Sequence, residues 1–219
     1  MREHLSFHIP RPQVSHFATA ARPASVISIR SGNEGAMASV TVEFVGALLD
    51  RSVQGDTSAF AGIVRANQSM VYSVAWSFLR DGGLAEELAQ DVFLELYRNL
   101  RHIESGAHLV SWLRRVTVNR CIDRVRKRKR EALTALDDAP ELQSPVSHED
   151  PMASERLRRL IASLPEKQRA IVILRYQEDM DPTEIASVLE MPVNTVKSKL
   201  HRALALLRGK MERREEMES

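Results

Sequence analysis

Two prolines, Pro182 and Pro192, frame the stretch that most limits how this chain can fold. Proline suits the first turn of a helix and breaks its interior. Pro182 therefore opens one helix, and Pro192 ends it and opens the next. Asp181 is a natural N-cap, and Glu184 stands three residues later, in the capping-box position. Ile185, Ala186 and Leu189 then recur at helical spacing. In the second helix Val196, Leu200, Ala203, Leu204 and Leu207 form an apolar stripe. Asn194, Thr195, Lys197, Ser198, Lys199, His201 and Arg202 are left for the other faces, and no acidic residue occurs from Val193 to Lys210. An apolar back with a cationic, hydrogen-bonding front is what a helix needs to enter a DNA major groove. A plain helical hairpin with a solvated basic face shares this periodicity, so the neighbouring residues must decide.

They do so by resemblance. Residues 164–208, with Leu164-Pro165, Arg169, Leu174-Arg175, Glu184-Ile185-Ala186, Leu189, Thr195-Val196-Lys197-Ser198, Leu200 and Arg202-Ala203, resemble region 4 of bacterial extracytoplasmic-function (ECF) sigma factors. Glu190 departs from the pattern, because that family usually has Gly there. If the turn needs a left-handed residue, a side chain at 190 costs on the order of 1 kcal/mol.

The first half carries its own pattern. Phe60, Ile63, Val64, Val71, Val74, Ala75 and Phe78 share one helical face, broken by Asp81-Gly82-Gly83. A helix from Leu84 to Leu100 follows. Leu88, Val92, Phe93, Leu96, Tyr97 and Leu100 form its buried stripe, and Glu86, Glu87, Gln90, Asp91 and Glu95 its acidic face. A connecting segment of about 101–109 leads to a long helix from Ser111. Trp112, Leu113, Val116, Val118, Ile122 and Val125 are its apolar positions, and Arg126-Lys127-Arg128-Lys129-Arg130 its end. A basic run this dense repels itself unless a polyanion neutralises it. Trp112 reads as core rather than a stacking platform. Cys121, the single cysteine, reads as packing filler and excludes an intramolecular disulfide.

Two further segments resemble ECF region 2. Glu87-Leu88, Gln90-Asp91 and Val92-Phe93 match the polymerase-gripping segment, with Leu84 departing from a frequent acid. Trp112-Leu113, Asn119-Arg120, Ile122-Asp123 and the basic run match the promoter −10 segment. The resemblance implies a core-polymerase grip at Glu87, Leu88, Gln90, Asp91 and Leu94. It implies −10 contacts from Asn119, Arg120, Arg124, Arg126, Lys127 and Arg128. Contacts to −35 would come from Asn194, Thr195, Lys197, Ser198, His201 and Arg202. It also places base capture in the loop of about 103–109.

Composition sets the remaining bounds. The chain has 219 residues, 27% of them charged and 5% aromatic, which suits helical domains. Its net charge of +2 hides a strong segregation, basic to Arg130 and then acidic through 131–154. That acidic, proline-bearing segment reads as a linker. Its roughly 24 residues, extended at ~3.3 Å each, reach ~80 Å. No apolar run is long enough to span a membrane. Scattered His4, His8 and His16, and the His148-Glu149-Asp150 cluster, fall short of a metal site.

The expected architecture is all-α, with two small helical domains on a flexible acidic linker. Residues 1–41 form a disordered extension (Met37 is an alternative start), 42–130 a region 2 domain, 131–154 the linker, 155–210 the helix-turn-helix domain and 211–219 a frayed tail. The expected function is that of a cytoplasmic sigma factor that binds core RNA polymerase and promoter DNA and directs initiation. An anti-sigma factor is left open as a partner, and no cofactor, metal or catalytic residue is expected. The alternative is a stand-alone helix-turn-helix regulator, which leaves the Glu87–Phe93 match unexplained. An enzyme is disfavoured, because no catalytic triad, P-loop or glycine-rich nucleotide loop occurs.

Overall fold

The computed structural model describes residues 34–134 and 151–218. The histidine clusters, most of the N-terminal extension and the middle of the acidic segment lie outside them. Eight α-helices make up the described residues: α1 (Glu34–Val53), α2 (Thr57–Leu79), α3 (Gly82–Asn99), α4 (Gly106–Thr134), α5 (Pro151–Ala162), α6 (Glu166–Tyr176), α7 (Pro182–Val188) and α8 (Val193–Glu218). A single 3-10 turn, Leu100–His102, follows α3.

Local chemistry sets the boundaries. The Asp56 carboxylate accepts from the Ser58 and Ala59 amides at 2.9 and 3.1 Å, capping α2. The Ser58 hydroxyl, donating at 2.6 Å, then the Ala59 amide and Arg51 at 2.6 Å hold the Asp56 carboxyl well below the usual carboxylate range. Arg80 ends α2 in the left-handed conformation, and Asp81 caps α3 by accepting from the Leu84 amide at 3.0 Å. The connection between α2 and α3 is thus only Arg80 and Asp81, so the two helices pack closely. Gly62 lets α1 approach α2, since a Cβ there would sit 3.0 Å from a Leu48 methyl.

Helices α1 to α4 pack around Val45, Ile63, Val71, Val74, Phe78, Leu88, Leu96, Leu109 and Leu113. Each large side chain buried here contributes roughly 1.5–3 kcal/mol. Helices α5 to α8 pack around Leu164, Ile171, Leu174, Ile185, Val196 and Ala203. The expected apolar back of the last helix is present, with Val196, Ala203 and Leu207 buried and Leu200 and Leu204 half-buried.

Several expected boundaries move. Helix α1 begins at Glu34, eight residues before the patterned sequence, because Ala36, Met37 and Ala38 are strong helix formers. Helix α4 begins at Gly106 and runs on to Thr134, helped by a Lys127–Glu131 pair one turn apart at 3.8 Å. Helix α5 starts at Pro151, so helix takes up both ends of the expected linker. Helix α8 continues to Glu218, past the expected end near Lys210, through a run of good helix formers. Tyr97 leaves the buried stripe and is 46% exposed, edge-on to Phe60 with ring centroids 5.1 Å apart.

The two helical groups touch. One apolar cluster runs through both and includes Phe78, Leu113, Ile171 and Ile185. Buried Arg169 on α6 reaches across to donate to the Phe78 carbonyl at 3.1 Å, and also donates to the Ala162 carbonyl on its own side. Arg158 on α5 lies over the Trp76 ring, 5.4 Å from its centroid. Gln177 bridges Ser73 and Ser77 at 3.1 and 2.6 Å.

Candidate nucleic-acid interface

The turn between α7 and α8 is built as its residues dictate. The Asp181 carboxylate accepts from the Thr183 and Glu184 amides at 2.6 and 2.9 Å, and the Glu184 carboxylate accepts from the Asp181 amide at 2.7 Å. This capping box lowers the Asp181 pKa, first through the Glu184 amide and then through that of Thr183. At the other end Met191 N–H donates to the Ala186 carbonyl at 3.0 Å and Glu190 N–H to that of Ser187 at 3.4 Å. This is the Schellman arrangement, which places residue 190 in the left-handed region. Glu190 has φ 50°, so the residue that departs from glycine sits where glycine is favoured.

Helix α8 then presents its front. Asn194, Lys197, Ser198, His201 and Arg202 are exposed, and Thr195 is half-buried at the first turn. The Ser198 hydroxyl donates to the Asn194 carbonyl at 2.8 Å, one turn back, and keeps its oxygen lone pairs for a partner. Buried Val196, Ala203 and Leu207 fix the rotation of the helix, so Lys197, Ser198, His201 and Arg202 share the outward side.

Helix α4 carries the second basic surface. Asn119, Arg126 and Lys127 are exposed, and Arg120, Arg124 and Arg128 are half-buried. A groove of about 550 Å³ separates α3 from α4, lined by Asp91, Glu95, Asn119, Arg120, Asp123 and Arg124 among others. Across it Arg120 donates to Glu95 and lies 3.7 Å from Asp91, while Arg124 donates to Glu87 at 2.9 Å. Arg124, which the resemblance assigns to DNA, is therefore held by Glu87, which it assigns to polymerase, and Arg120 is held by Glu95 of the acidic face beside Asp91.

On α3 the expected grip divides. Glu87, Gln90 and Leu94 are exposed and Asp91 is half-buried. Leu88 is 2% exposed and belongs to the core, because its position on the helix turns it inward between Val92 and Ala85. Tyr97, three residues on from Leu94, extends the outward apolar surface; the sequence hides it because an aromatic at helical spacing reads as core. The expected base-capture loop is shorter than its sequence suggests. Ile103 and Leu109 are buried, the Ser105 hydroxyl accepts from the His108 amide at 3.1 Å as α4 begins, and Glu104 and Ser105 remain exposed. Trp112 is half-buried against the core, and Cys121 is buried, which pushes its thiol pKa far up and leaves it unreactive.

Residues 63–131 match the Sigma-70 region 2 family, and residues 154–207 match Sigma-70 region 4. The first match covers α3 and the basic part of α4, and the second covers the helix-turn-helix. The chain is 31% identical over 173 residues to the ECF RNA polymerase sigma factor SigW of Bacillus subtilis, covering 72% of this chain and 91% of that one. It is 34% identical over 164 residues to the RNA polymerase sigma-E factor of Streptomyces antibioticus, covering 74% and 89%. Among solved structures, CnrH in complex with the cytosolic domain of CnrY aligns with TM-score 0.58 at 21% identity, covering 76% of this chain and 96% of that one. The sigma factor RpoE in complex with the anti-sigma factor NepR from Bartonella quintana aligns with TM-score 0.60 at 20% identity, covering 70% and 96%. The chain belongs to the ECF sigma factors of the sigma-70 family, which direct RNA polymerase to initiate transcription.

Proposed function

We propose that the three surfaces divide the work of initiation within the cytoplasm. The exposed face of α3, with Glu87, Gln90, Asp91, Leu94 and Tyr97, docks on core polymerase. Asn119, Arg120, Arg124, Arg126, Lys127 and Arg128 of α4 hold the −10 element, mainly through phosphates. Asn194, Thr195, Lys197, Ser198, His201 and Arg202 of α8 read the −35 element. These roles make and break no covalent bond, and they divide the chain at about residues 42–130 and 155–210. The observation that carries the reading is the outward cluster Lys197, Ser198, His201 and Arg202 on a helix whose rotation is fixed by Val196, Ala203 and Leu207.

A promoter spacing of ~16 base pairs at ~3.4 Å each separates the two elements by ~55 Å. Helices α4 and α7 are in contact here. The halves must therefore part for both readers to engage one promoter, and a segment of the length of 131–154 can span the gap. An anti-sigma factor is the partner class suited to hold the halves together, as the complexed forms of CnrH and RpoE invite.

Run-off transcription with purified core polymerase on a promoter library tests the assignment. Promoter-dependent transcripts are expected. DNA binding without co-purification of core polymerase would instead make the chain a stand-alone regulator.

A further inference from the structure

We propose that the carboxylates of α3 mask guanidiniums of α4 in the free protein, and that docking on polymerase unmasks Arg124. The inference rests on the interface assignment above, and it links two surfaces that the assignment treats separately. Glu87, Asp91 and Glu95 stand one turn apart along α3, and Arg120 and Arg124 stand one turn apart along α4. Asp91 and Glu95 face Arg120 and Arg124 across the groove, and Glu87 meets Arg124 beside it. Arg120 gives both Nε and Nη2 to Glu95 Oε2, the former at 2.8 Å, and sets Nη1 3.7 Å from Asp91. Arg124 gives Nη2 to Glu87 at 2.9 Å.

A guanidinium so occupied has fewer N–H groups to offer a phosphate, and its charge is offset by its partner. Three carboxylates serve two guanidiniums, so the charge of both is offset in the free protein. The mask is also easily removed. The side chains of Glu87 and Asp91 are 56% and 44% exposed, and ion pairs at such exposure are weak. A partner that binds the acidic face of α3 must offer cations to it. Those cations compete for Glu87 and Asp91, release Arg124 towards the −10 DNA and leave Arg120 held by Glu95 alone. Free protein then binds DNA with fewer cations than the polymerase complex does. This suppresses promoter occupancy by sigma factor that carries no polymerase.

The salt dependence of binding to a −10 duplex counts the cations engaged, at about 0.9 in log–log slope per phosphate contact. In the free chain, Arg124→Gln is expected to leave the slope unchanged, because Arg124 is already occupied. Glu87→Gln should steepen it by about 0.9, and the double variant Glu87→Gln/Arg124→Gln should lose that gain. In holoenzyme, Arg124→Gln should flatten the slope by about 0.9. Asp50→Asn, an equal charge change on the exposed side of α1, should leave the free-chain slope unchanged.

Equal flattening by Arg124→Gln in free chain and holoenzyme would overturn the mask. So would an unaltered slope in Glu87→Gln at intact helicity, or equal steepening in Asp50→Asn. The affinity of Glu87→Gln for core polymerase separates this inference from its premise. Weakened polymerase binding with an unaltered DNA slope would retain the grip and remove the mask. Unchanged polymerase binding would remove the grip and the unmasking step together.

Discussion

Arg115 Nη1 lies 2.6 Å from Glu190 Oε1, joining α4 to the turn of the helix-turn-helix across 75 positions of chain. Glu190 occupies the left-handed corner that favours glycine, so its side chain meets a backbone cost and gains a partner in the other half. The pair is exposed, and such pairs contribute about 0–1 kcal/mol. Glu190→Gly and Glu190→Ala both remove it, but only glycine relieves the backbone. Urea unfolding should find the glycine variant more stable than the alanine variant by about 1 kcal/mol. Equal stabilities would mean that the turn relaxes without strain.

Glu178, just after α6, makes the companion contact, accepting from Arg114 Nε at 3.3 Å. Burial raises its pKa, and Arg114 opposes the rise. The sign follows from proton linkage. A carboxyl whose folded pKa lies above its unfolded value binds protons more tightly when folded. Its contribution is fully present below the ordinary glutamate value and is lost as pH rises through the raised one. Glu178→Gln should remove that decline. Melting temperatures measured across the window from the ordinary Glu pKa upward check it, and parallel pH profiles for both proteins would refute it.

The grip on polymerase is best probed where it is independent of the ion pairs. Leu94 and Tyr97 are 41% and 46% exposed. Leu94→Ala should change stability by no more than about 0.5 kcal/mol, as surface substitutions do. Tyr97→Ala also loses its edge contact with Phe60, worth about 0.5–1.5 kcal/mol. Each should weaken association with core polymerase several-fold in a competition assay. Core affinity equal to that of the parent would move the docking surface off this part of α3.

Arg169 tests how far the two halves depend on each other. Its guanidinium is buried and donates to main-chain carbonyls on both sides, including that of Phe78. Arg169→Ala should destabilise by about 1–3 kcal/mol, because buried carbonyls lose a charged donor. Lysine lacks the planar fork, so Arg169→Lys should recover little. Chemical denaturation reads both, and full recovery by lysine would show that charge alone matters.

What the sequence reveals and what it hides follow the range of each signal. Caps and periodicity act over a few residues. Asp181, Glu184 and Pro182 therefore announce α7, and Val196 and Ala203 announce the back of α8, whereas the glycine-favouring corner at Glu190 is expected only from the family resemblance. The cross-half contacts carry no such signal. Arg114 and Glu178 stand 64 positions apart, and nothing near either residue marks the other. Arg120 and Arg124 read as DNA ligands because a basic helix looks the same whether its cations meet phosphates or the carboxylates of α3. Helical spacing places Leu88 in the core, where it is found, although the resemblance puts it in the grip; Tyr97 leaves the same stripe for a related reason. Helical spacing defines a face, and only packing against α2 and α4 decides which edge of that face is covered.

Helix α8 yields the most direct test of promoter reading. Lys197 stands on its first outward turn, exposed, beside Ser198 and one turn before His201. An ammonium there can donate to guanine O6 and N7 or to a phosphate, and the two cases differ in their dependence on sequence. A base contact is lost only where the base is present, whereas a phosphate is present everywhere. Lys197→Ala should cost roughly 1–3 kcal/mol on the preferred −35 duplex and much less on a scrambled one. Asn194→Ala, at the helix N-terminus where donors favour phosphate, should weaken both duplexes alike. Fluorescence anisotropy on the paired duplexes separates the outcomes. A uniform loss with Lys197→Ala would make it a phosphate clamp, and no loss on either duplex would remove α8 as the reader.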